Sequence, residues 1–181
     1  MRSQLPAHID LKDVDIWFQD ETRIGQQGST TRVWHKKGNR PRITKQAQFL
    51  SAYIFGAVCP QSGASVGLVL PNVNKHAMTL HMAEISQCVP ENRHAVVIMD
   101  GAMWHHPSIN QHNVTMLKLP PYSPELNPVE QVWQTLKQYR LHNRCYKNFD
   151  EIVDVACDAW NWISQQPEKL KSLTTRQWCH I

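Results

Sequence analysis

The sequence predicts an α/β domain: a mixed five-stranded sheet flanked by helices. Three observations carry that expectation. The first half holds strand-like runs joined by short turn signals, as in a hairpin-linked meander. The continuous apolar run in His94-Ala95-Val96-Val97-Ile98-Met99-Asp100 has the pattern of a central strand buried on both faces. Elsewhere, apolar residues recur at i, i+3, i+4 and i+7 behind residues that cap helices well.

Taken in order, Val14-Asp15-Ile16-Trp17-Phe18-Gln19-Asp20 reads as the first strand. Val14, Ile16 and Phe18 share one phase of its two-residue period, and Asp20 ends the strand on that same phase. A carboxylate there is costly unless paired or metal-bound, although an exposed strand end would make it harmless. Gly25, Gly28 and Gly38 mark turns. Phe49 to Val58 reads as a second strand, and Ala64 to Leu70 as a third that closes on Pro71. Asn74 caps a helix running to about Val89, with Leu80, Ile85 and Cys88 in helical phase.

The central run stops on Asp100-Gly101. In open α/β sheets the carboxyl end of such a strand is where sites form; an Asp-Gly pair is also an ordinary turn. Val114 to Leu119 gives the fifth strand and leads into a proline-rich loop. Pro120, Pro121 and Pro124 fix φ and make the approach extended. Asn127 suits the N-cap and Pro128 the first helical position. Val129, Val132, Trp133 and Leu136 then keep an apolar stripe, with Glu130 at its edge. Asn127 and Glu130 also have capping-box spacing, under which Glu130 merely ties back to the cap. Asn148 and Glu151 form a second such box, opening a helix lined by Ile152, Val155, Ala156, Ala159 and Ile163. Gln165-Gln166-Pro167 ends that helix, and the tail through Trp178 is expected to pack on the body.

At 181 residues, with 41 % hydrophobic and 19 % charged residues, the chain has the length and composition of one globular domain. No apolar run approaches the ~20 residues of a membrane span, and the N-terminus lacks a signal-peptide pattern. Five scattered cysteines (Cys59, Cys88, Cys145, Cys157 and Cys179) suggest neither a disulfide framework nor a C-x-x-C zinc site, so a cytoplasmic location is expected. The net charge of +4 and pI near 8.9 are mild. Their distribution says more: Arg32, Lys36, Lys37, Arg40, Arg42 and Lys45 fall in an acid-free segment that includes Trp34. That segment is either a solvated loop or a hairpin contacting phosphates.

Asp20, Asp100 and Glu130 thus arrive from three separate elements at one edge of the sheet. Oxygen ligands of this kind suit Mg²⁺ or Mn²⁺ rather than zinc. Two such ions, roughly 3.5–4 Å apart, activate a water or 3′-hydroxyl and stabilise the departing oxygen of a phosphodiester. Asp100 is the natural bridging ligand, with Asp20 and Glu130 on the flanks.

The stretches Gln19-Asp20-Glu21-Thr22-Arg23-Ile24-Gly25, Met99-Asp100-Gly101-Ala102-Met103-Trp104-His105 and Leu119-Pro-Pro-Tyr-Ser-Pro-Glu-Leu-Asn-Pro-Val-Glu130-Gln-Val-Trp133 resemble the DDE transposases. More narrowly they resemble the bacterial insertion-sequence branch of the mariner superfamily. The resemblance runs from about Val14 to Trp178, and the proline-rich motif is its most specific part. It implies a ribonuclease-H-like fold and a metal-binding catalytic triad of Asp20, Asp100 and Glu130 holding two ions, Mg²⁺ or Mn²⁺. The implied reaction is cleavage at the ends of a DNA element, then strand transfer into target DNA by 3′-hydroxyl attack. It also implies DNA as partner, a nucleoid-associated location, and a homodimer or assembly with a helix-turn-helix-bearing part. Two departures stand out: Asp20 comes where family members have already passed N-terminal helix-turn-helix domains, and Met103 replaces a usually small residue. Residues 1–181 are therefore expected to be a single catalytic domain without that N-terminal region.

The DNA-contact candidates are Arg32, Trp34, Lys36, Lys37, Arg40, Arg42, His105 and Lys137. By resemblance His105 has a supporting role near substrate; a loop-packing histidine is the alternative. Lys137 opens a series with Arg140, Arg144 and Lys147 that either tracks a phosphate backbone or simply solubilises. Trp133 is expected in the core, and Tyr122 and Asn127 are expected to shape the loop. His105-His106 has no second ligand pair at zinc spacing. Two other readings stay open: a nuclease of the same fold without strand transfer, and a non-catalytic fragment that partners or inhibits a complete transposase.

Overall fold

The computed structural model describes residues 5–28, 30, 31, 34–39, 42 and 44–176. Five strands form one sheet: β1 (Val14–Gly25), β2 (Ser51–Val58), β3 (Ser65–Leu70), β4 (His94–Met99) and β5 (Val114–Lys118), in the order β3-β2-β1-β4-β5. The β1–β2 and β2–β3 pairs are antiparallel, the expected meander, while β4 and β5 add in parallel. The sheet is thus mixed, as its pattern predicted.

Helix α1 (Lys75–Cys88) crosses between β3 and β4 on one face, and Asn74 Oδ1 caps it by accepting from Ala77 N–H at 2.9 Å. Met78, Met82 and Ile85 of α1 bury against Trp17, Phe55, Val97 and Met99. The opposite face is covered by α2 (Val129–Leu136), α3 (Phe149–Ser164) and α4 (Pro167–Thr174). There Val132, Trp133, Ile152, Ala156 and Trp160 meet Val14, Ile16, Phe18, Ile54 and Val96, each full burial worth about 1.5–3 kcal/mol for the larger side chains. β4 is buried at every position between these two layers, as a continuous apolar run requires.

Four elements differ from expectation. β1 does not end at Asp20 but runs on to Gly25, because β2 goes on pairing with it as far as Gly25↔Ser51. The proline loop is not wholly extended: Pro124–Leu126 makes a 3₁₀ turn, with Pro124 at its first position, where no N–H is needed. The tail packs on the body as expected, but as a helix: beyond Pro167 it forms α4, which buries Leu170 and Thr174, while Trp178 lies outside the described residues. In α3, Trp160 joins the buried stripe, whereas Val155 is only half-buried.

Candidate active site

The parallel β1–β4 register has a constant offset, from Val14↔His94 to Phe18↔Ile98. Arg93 anchors its start, donating from Nε to Asp15 Oδ2 at 2.8 Å and pairing through Nη2 with Oδ1. Carried two residues further, that offset sets Asp20 level with Asp100. β4 has ended there, so β1 continues with one edge no longer covered by it. Asp20 therefore reaches the edge of the site from inside a strand rather than from its end. It keeps the phase of Val14, Ile16 and Phe18, facing α2, and lies opposite Gly56 on β2.

Glu130 is delivered by the loop between β5 and α2. Leu119 N–H donates to Met99 O at 2.7 Å, tying the loop's start to the end of β4. At its far end Asn127 is buried; its Nδ2 donates to Gln19 O at 2.8 Å and its Oδ1 accepts from Val129 N–H at 3.2 Å. One side chain thus ties the start of α2 to β1 beside Asp20, although the N-cap position itself is Pro128, one residue later than expected. The N–H of Asn127 goes to Pro124 O at 2.9 Å, so Glu130 does not supply the returning arm of a capping box. Asp20, Asp100 and Glu130 all line one cleft of about 370 Å³, walled by Gly101, Ala102 and the loop from Leu119 to Pro124. Tyr122 stands at its rim, fully exposed, with a left-handed backbone (φ 60°).

The three acids sit in unlike surroundings. Asp20 is half-buried, and burial, reinforced by the charges of Glu130 and Glu21, pushes its carboxyl up to about 7. The indole of Trp133, donating from Nε1 to Oδ2 at 2.8 Å, works in the other direction. Trp133 is in the core, as its place on the apolar stripe predicted, yet its N–H serves the site. The Asp100 side chain is 58 % exposed; its Oδ1 accepts from Ala102 N–H at 2.9 Å, the Asx turn an Asp-Gly pair favours.

A second carboxylate of β1 was not singled out from sequence. Glu21 points to the other face, with its side chain 7 % exposed. Its Oε1 accepts from Gln19 Nε2 at 3.0 Å, Trp104 Nε1 at 3.2 Å and His105 Nε2 at 3.1 Å. The other ring nitrogen of His105, Nδ1, reaches Asp100 O at 2.9 Å and Asp100 Oδ1 at 3.0 Å. Burial disfavours a charged His105 ring, but the hydrogen bond and charge of Glu21, with the Asp100 oxygens, outweigh it and raise the pKa. The atoms facing the ring nitrogens are all oxygens, an arrangement that suits the doubly protonated ring. His105, expected among the DNA contacts, has its side chain 1 % exposed and joins Glu21 to Asp100. The signal for Glu21 was present: it shares the phase of buried Trp17 and Gln19, where an acid is as conspicuous as Asp20 is on the other phase.

Of the remaining DNA-contact candidates, Trp34, Lys36, Lys37 and Arg42 are exposed in the β1–β2 connection, while Arg32 and Arg40 lie outside the described residues. Lys137 lines a separate hollow of about 160 Å³ with Arg23, His142 and Tyr146. None of the described ones among these lines the acidic cleft. His106 is exposed and bonds Ser108.

Among the described residues no three His, Cys, Asp or Glu side chains stand close enough to hold an ion as they are. The donor set nonetheless suits a hard cation. The three acids offer only oxygen, and Asp20 is a half-buried carboxyl that a neighbouring positive charge would favour ionised. Magnesium keeps several waters and takes one or two carboxylates together with phosphate oxygens, so an open cleft fits it better than a closed cage.

Residues 15–153 match the family described as DDE superfamily endonuclease. A protein of Sinorhizobium fredii (strain NBRC 101917 / NGR234), the uncharacterized protein y4pE/y4sA, is 50 % identical over 131 residues, covering 71 % of this chain and 97 % of that protein. Among solved structures, the Mos1 mariner paired end complex with Mn is similar at a TM-score of 0.57 and 12 % identity, covering 90 % of this chain and 56 % of that chain. The Mos1 strand transfer complex gives 0.55 at 13 % identity, with 90 % and 55 % covered. This chain thus spans just over half the length of the Mos1 chains. The sheet is ribonuclease-H-like. The chain belongs to the DDE superfamily of endonucleases.

Proposed function

We propose that this chain is the catalytic domain of a transposase of the insertion-sequence branch of the mariner superfamily. It cleaves DNA strands at the element's ends and joins the resulting 3′ ends to target DNA. One observation carries this reading: Asp20, Asp100 and Glu130, from three separate elements, line a single cleft at the end of β4.

Asp20, Asp100 and Glu130 would hold two divalent ions, Mg²⁺ or Mn²⁺. When bound, these supply the charge that activates the attacking oxygen and stabilises the leaving one. The chain's own residues do the positioning. Asp100 has Oδ1 held by Ala102 N–H and His105 and Oδ2 without a partner among the described residues, which would leave Oδ2 for an ion. Asp20 is steadied through Oδ2 by Trp133, and Glu130 is aimed by the Asn127 clamp on β1. The exposed Trp34, Lys36, Lys37 and Arg42 fit contact with a DNA backbone. The Mos1 complexes, one a paired end and one a strand transfer complex, favour DNA as the partner of this chain too. Joining two ends calls for two copies, and recognition of the ends for a helix-turn-helix-bearing part.

The test is nicking and strand transfer on a supercoiled plasmid carrying the parent element's ends, with Mg²⁺, Mn²⁺ or chelator. Metal-dependent nicking and joined products, both lost in Asp100→Asn, are expected. Nicking that survives either Asp100→Asn or chelator would overturn the assignment, and nicking without joined products would favour a plain nuclease.

A further inference from the structure

We propose that Glu21 is a positioning residue for the candidate metal site, holding the Asp100 carboxylate in place through His105. The inference rests on the reading of Asp100 as a metal ligand, and it concerns a residue on the face of β1 away from Asp20. Glu21 is withdrawn from solvent, with its side chain 7 % exposed, and three N–H donors converge on one oxygen, Oε1. A buried acid this far from water is costly unless it is paired and fully hydrogen-bonded. Its partners are unlike one another in what they do next. Gln19 and Trp104 connect Glu21 to its own strand and to the neighbouring loop. His105 alone passes the contact on: Nε2 meets Glu21 at 3.1 Å, and Nδ1 meets Asp100 at both its carbonyl oxygen and Oδ1.

The consequence is local and geometric. Asp100 follows directly on the last residue of β4, where the sheet no longer holds the backbone. With Ala102 N–H and His105 both on Oδ1, the carboxylate has one orientation, with Oδ2 left over for the cleft. Remove the anchor at Glu21 and His105 keeps only its contact with Asp100. The imidazole can then turn, and the carboxylate with it. Partners that orient a metal ligand in this way typically matter by about 10- to 100-fold in metal affinity or activity.

The test uses the full 181-residue chain and Mn²⁺ alone as probe. Free Mn²⁺ is followed by electron paramagnetic resonance for the wild type, Glu21→Leu, Glu21→Gln and Asp100→Asn. Single-turnover cleavage of the DNA substrate and thermal melting are measured alongside. Glu21→Leu is expected to weaken Mn²⁺ binding by roughly 10- to 100-fold and to slow cleavage, leaving the KM for DNA unchanged. Glu21→Gln keeps an oxygen for His105 and is expected to restore most of the affinity. If Glu21→Leu does not fold, His105→Phe, which removes the same link while keeping a ring in place, is read instead with the same expectation. A variant that melts lower but binds Mn²⁺ like the wild type below its melting range makes Glu21 a packing group and overturns the proposal. So does a Glu21→Gln protein as deficient as Glu21→Leu, since that would mark the carboxylate itself as a ligand. Asp100→Asn with wild-type Mn²⁺ affinity would overturn the metal-site reading and this inference together. Loss of binding in Asp100→Asn with none in Glu21→Leu would overturn this inference alone.

Discussion

The indole N–H of Trp133 donates to Asp20 Oδ2 at 2.8 Å, so the helix that carries Glu130 is bonded to the strand that carries Asp20. A core residue and a site residue are here the same residue. Trp133 is 1 % exposed, and its ring packs against Trp160 at 5.8 Å between centroids. The site is thereby referenced to the hydrophobic core rather than to a loop.

Trp133→Phe separates the two roles. Phenylalanine still fills much of the space but cannot donate, and a hydrogen bond to a charged group is worth about 1.5–3 kcal/mol. With the Asp20 carboxyl pushed up to about 7, the bond is charge-assisted at pH 8 and neutral at pH 5. Urea unfolding should therefore show a larger loss for Trp133→Phe at pH 8 than at pH 5. Equal losses at the two pH values would mean that the indole acts by packing alone.

Asp20 itself should cost stability when no ion is bound. Its folded pKa lies above the ordinary value of 3.8, so its contribution is fully present below that value and lost as pH rises through about 7. Asp20→Asn removes the ionisation while keeping an oxygen for Trp133. In chelator at pH 8 the variant should be more stable on the order of 2 kcal/mol, or about 4–8 °C in Tm for a chain of this length. At pH 4 the difference should vanish, and added Mn²⁺ should stabilise the wild type far more than the variant. A destabilised Asp20→Asn at pH 8 would refute the burial argument.

His81 has the opposite slope. It is fully buried on α1 with neither ring nitrogen hydrogen-bonded among the described residues. Burial, helped by the neighbouring His105, pushes its pKa down to about 3. The unfolded chain binds a proton near 6.5 that the folded chain refuses, so stability present above 6.5 is lost as pH falls toward about 3. His81→Met should flatten that acid limb and stabilise the protein more at pH 5 than at pH 8, as denaturant titrations at both would read. An unchanged acid limb would mean that His81 finds a proton acceptor on folding.

Most of the fold is legible in the sequence because its elements are locally consistent. The apolar run of β4, the Asn74 cap and the Asn148 cap each state their structure within a few residues. What escaped depends on partners far along the chain. Glu21 to Gly25 look too mixed for a strand, yet β2 pairs with them throughout. The short α4 is set by docking of Leu170 on the body. Asp20, Asp100 and Glu130 stand out as acids beside apolar patterns, whereas the bond from Glu21 to His105 spans 84 residues and leaves no local trace. The indole N–H of Trp133 is equally silent, since periodicity reports that a side chain is buried but not what its one polar atom meets.

Gly56 shows how closely core and site are joined. It lies opposite Asp20 in the β1–β2 register, under both indoles. A Cβ at this position would stand 2.5 Å from Trp133 Cη2 and 2.6 Å from Trp160 Cζ3. Neither ring can yield without moving in a packed layer, so Gly56→Ala should cost about 1–3 kcal/mol by overpacking. It should also carry the Trp133 N–H away from Asp20. Gly67→Ala is the control, because the three atoms its Cβ would stand nearest all belong to Trp160. Both variants should be destabilised in urea. In the Gly67→Ala background, Trp133→Phe should still cost more at pH 8 than at pH 5; in the Gly56→Ala background that difference should disappear. If it persists there, Trp133 has kept its bond and the sheet has shifted instead, which would place the adaptable part of the site in β2 rather than in α2.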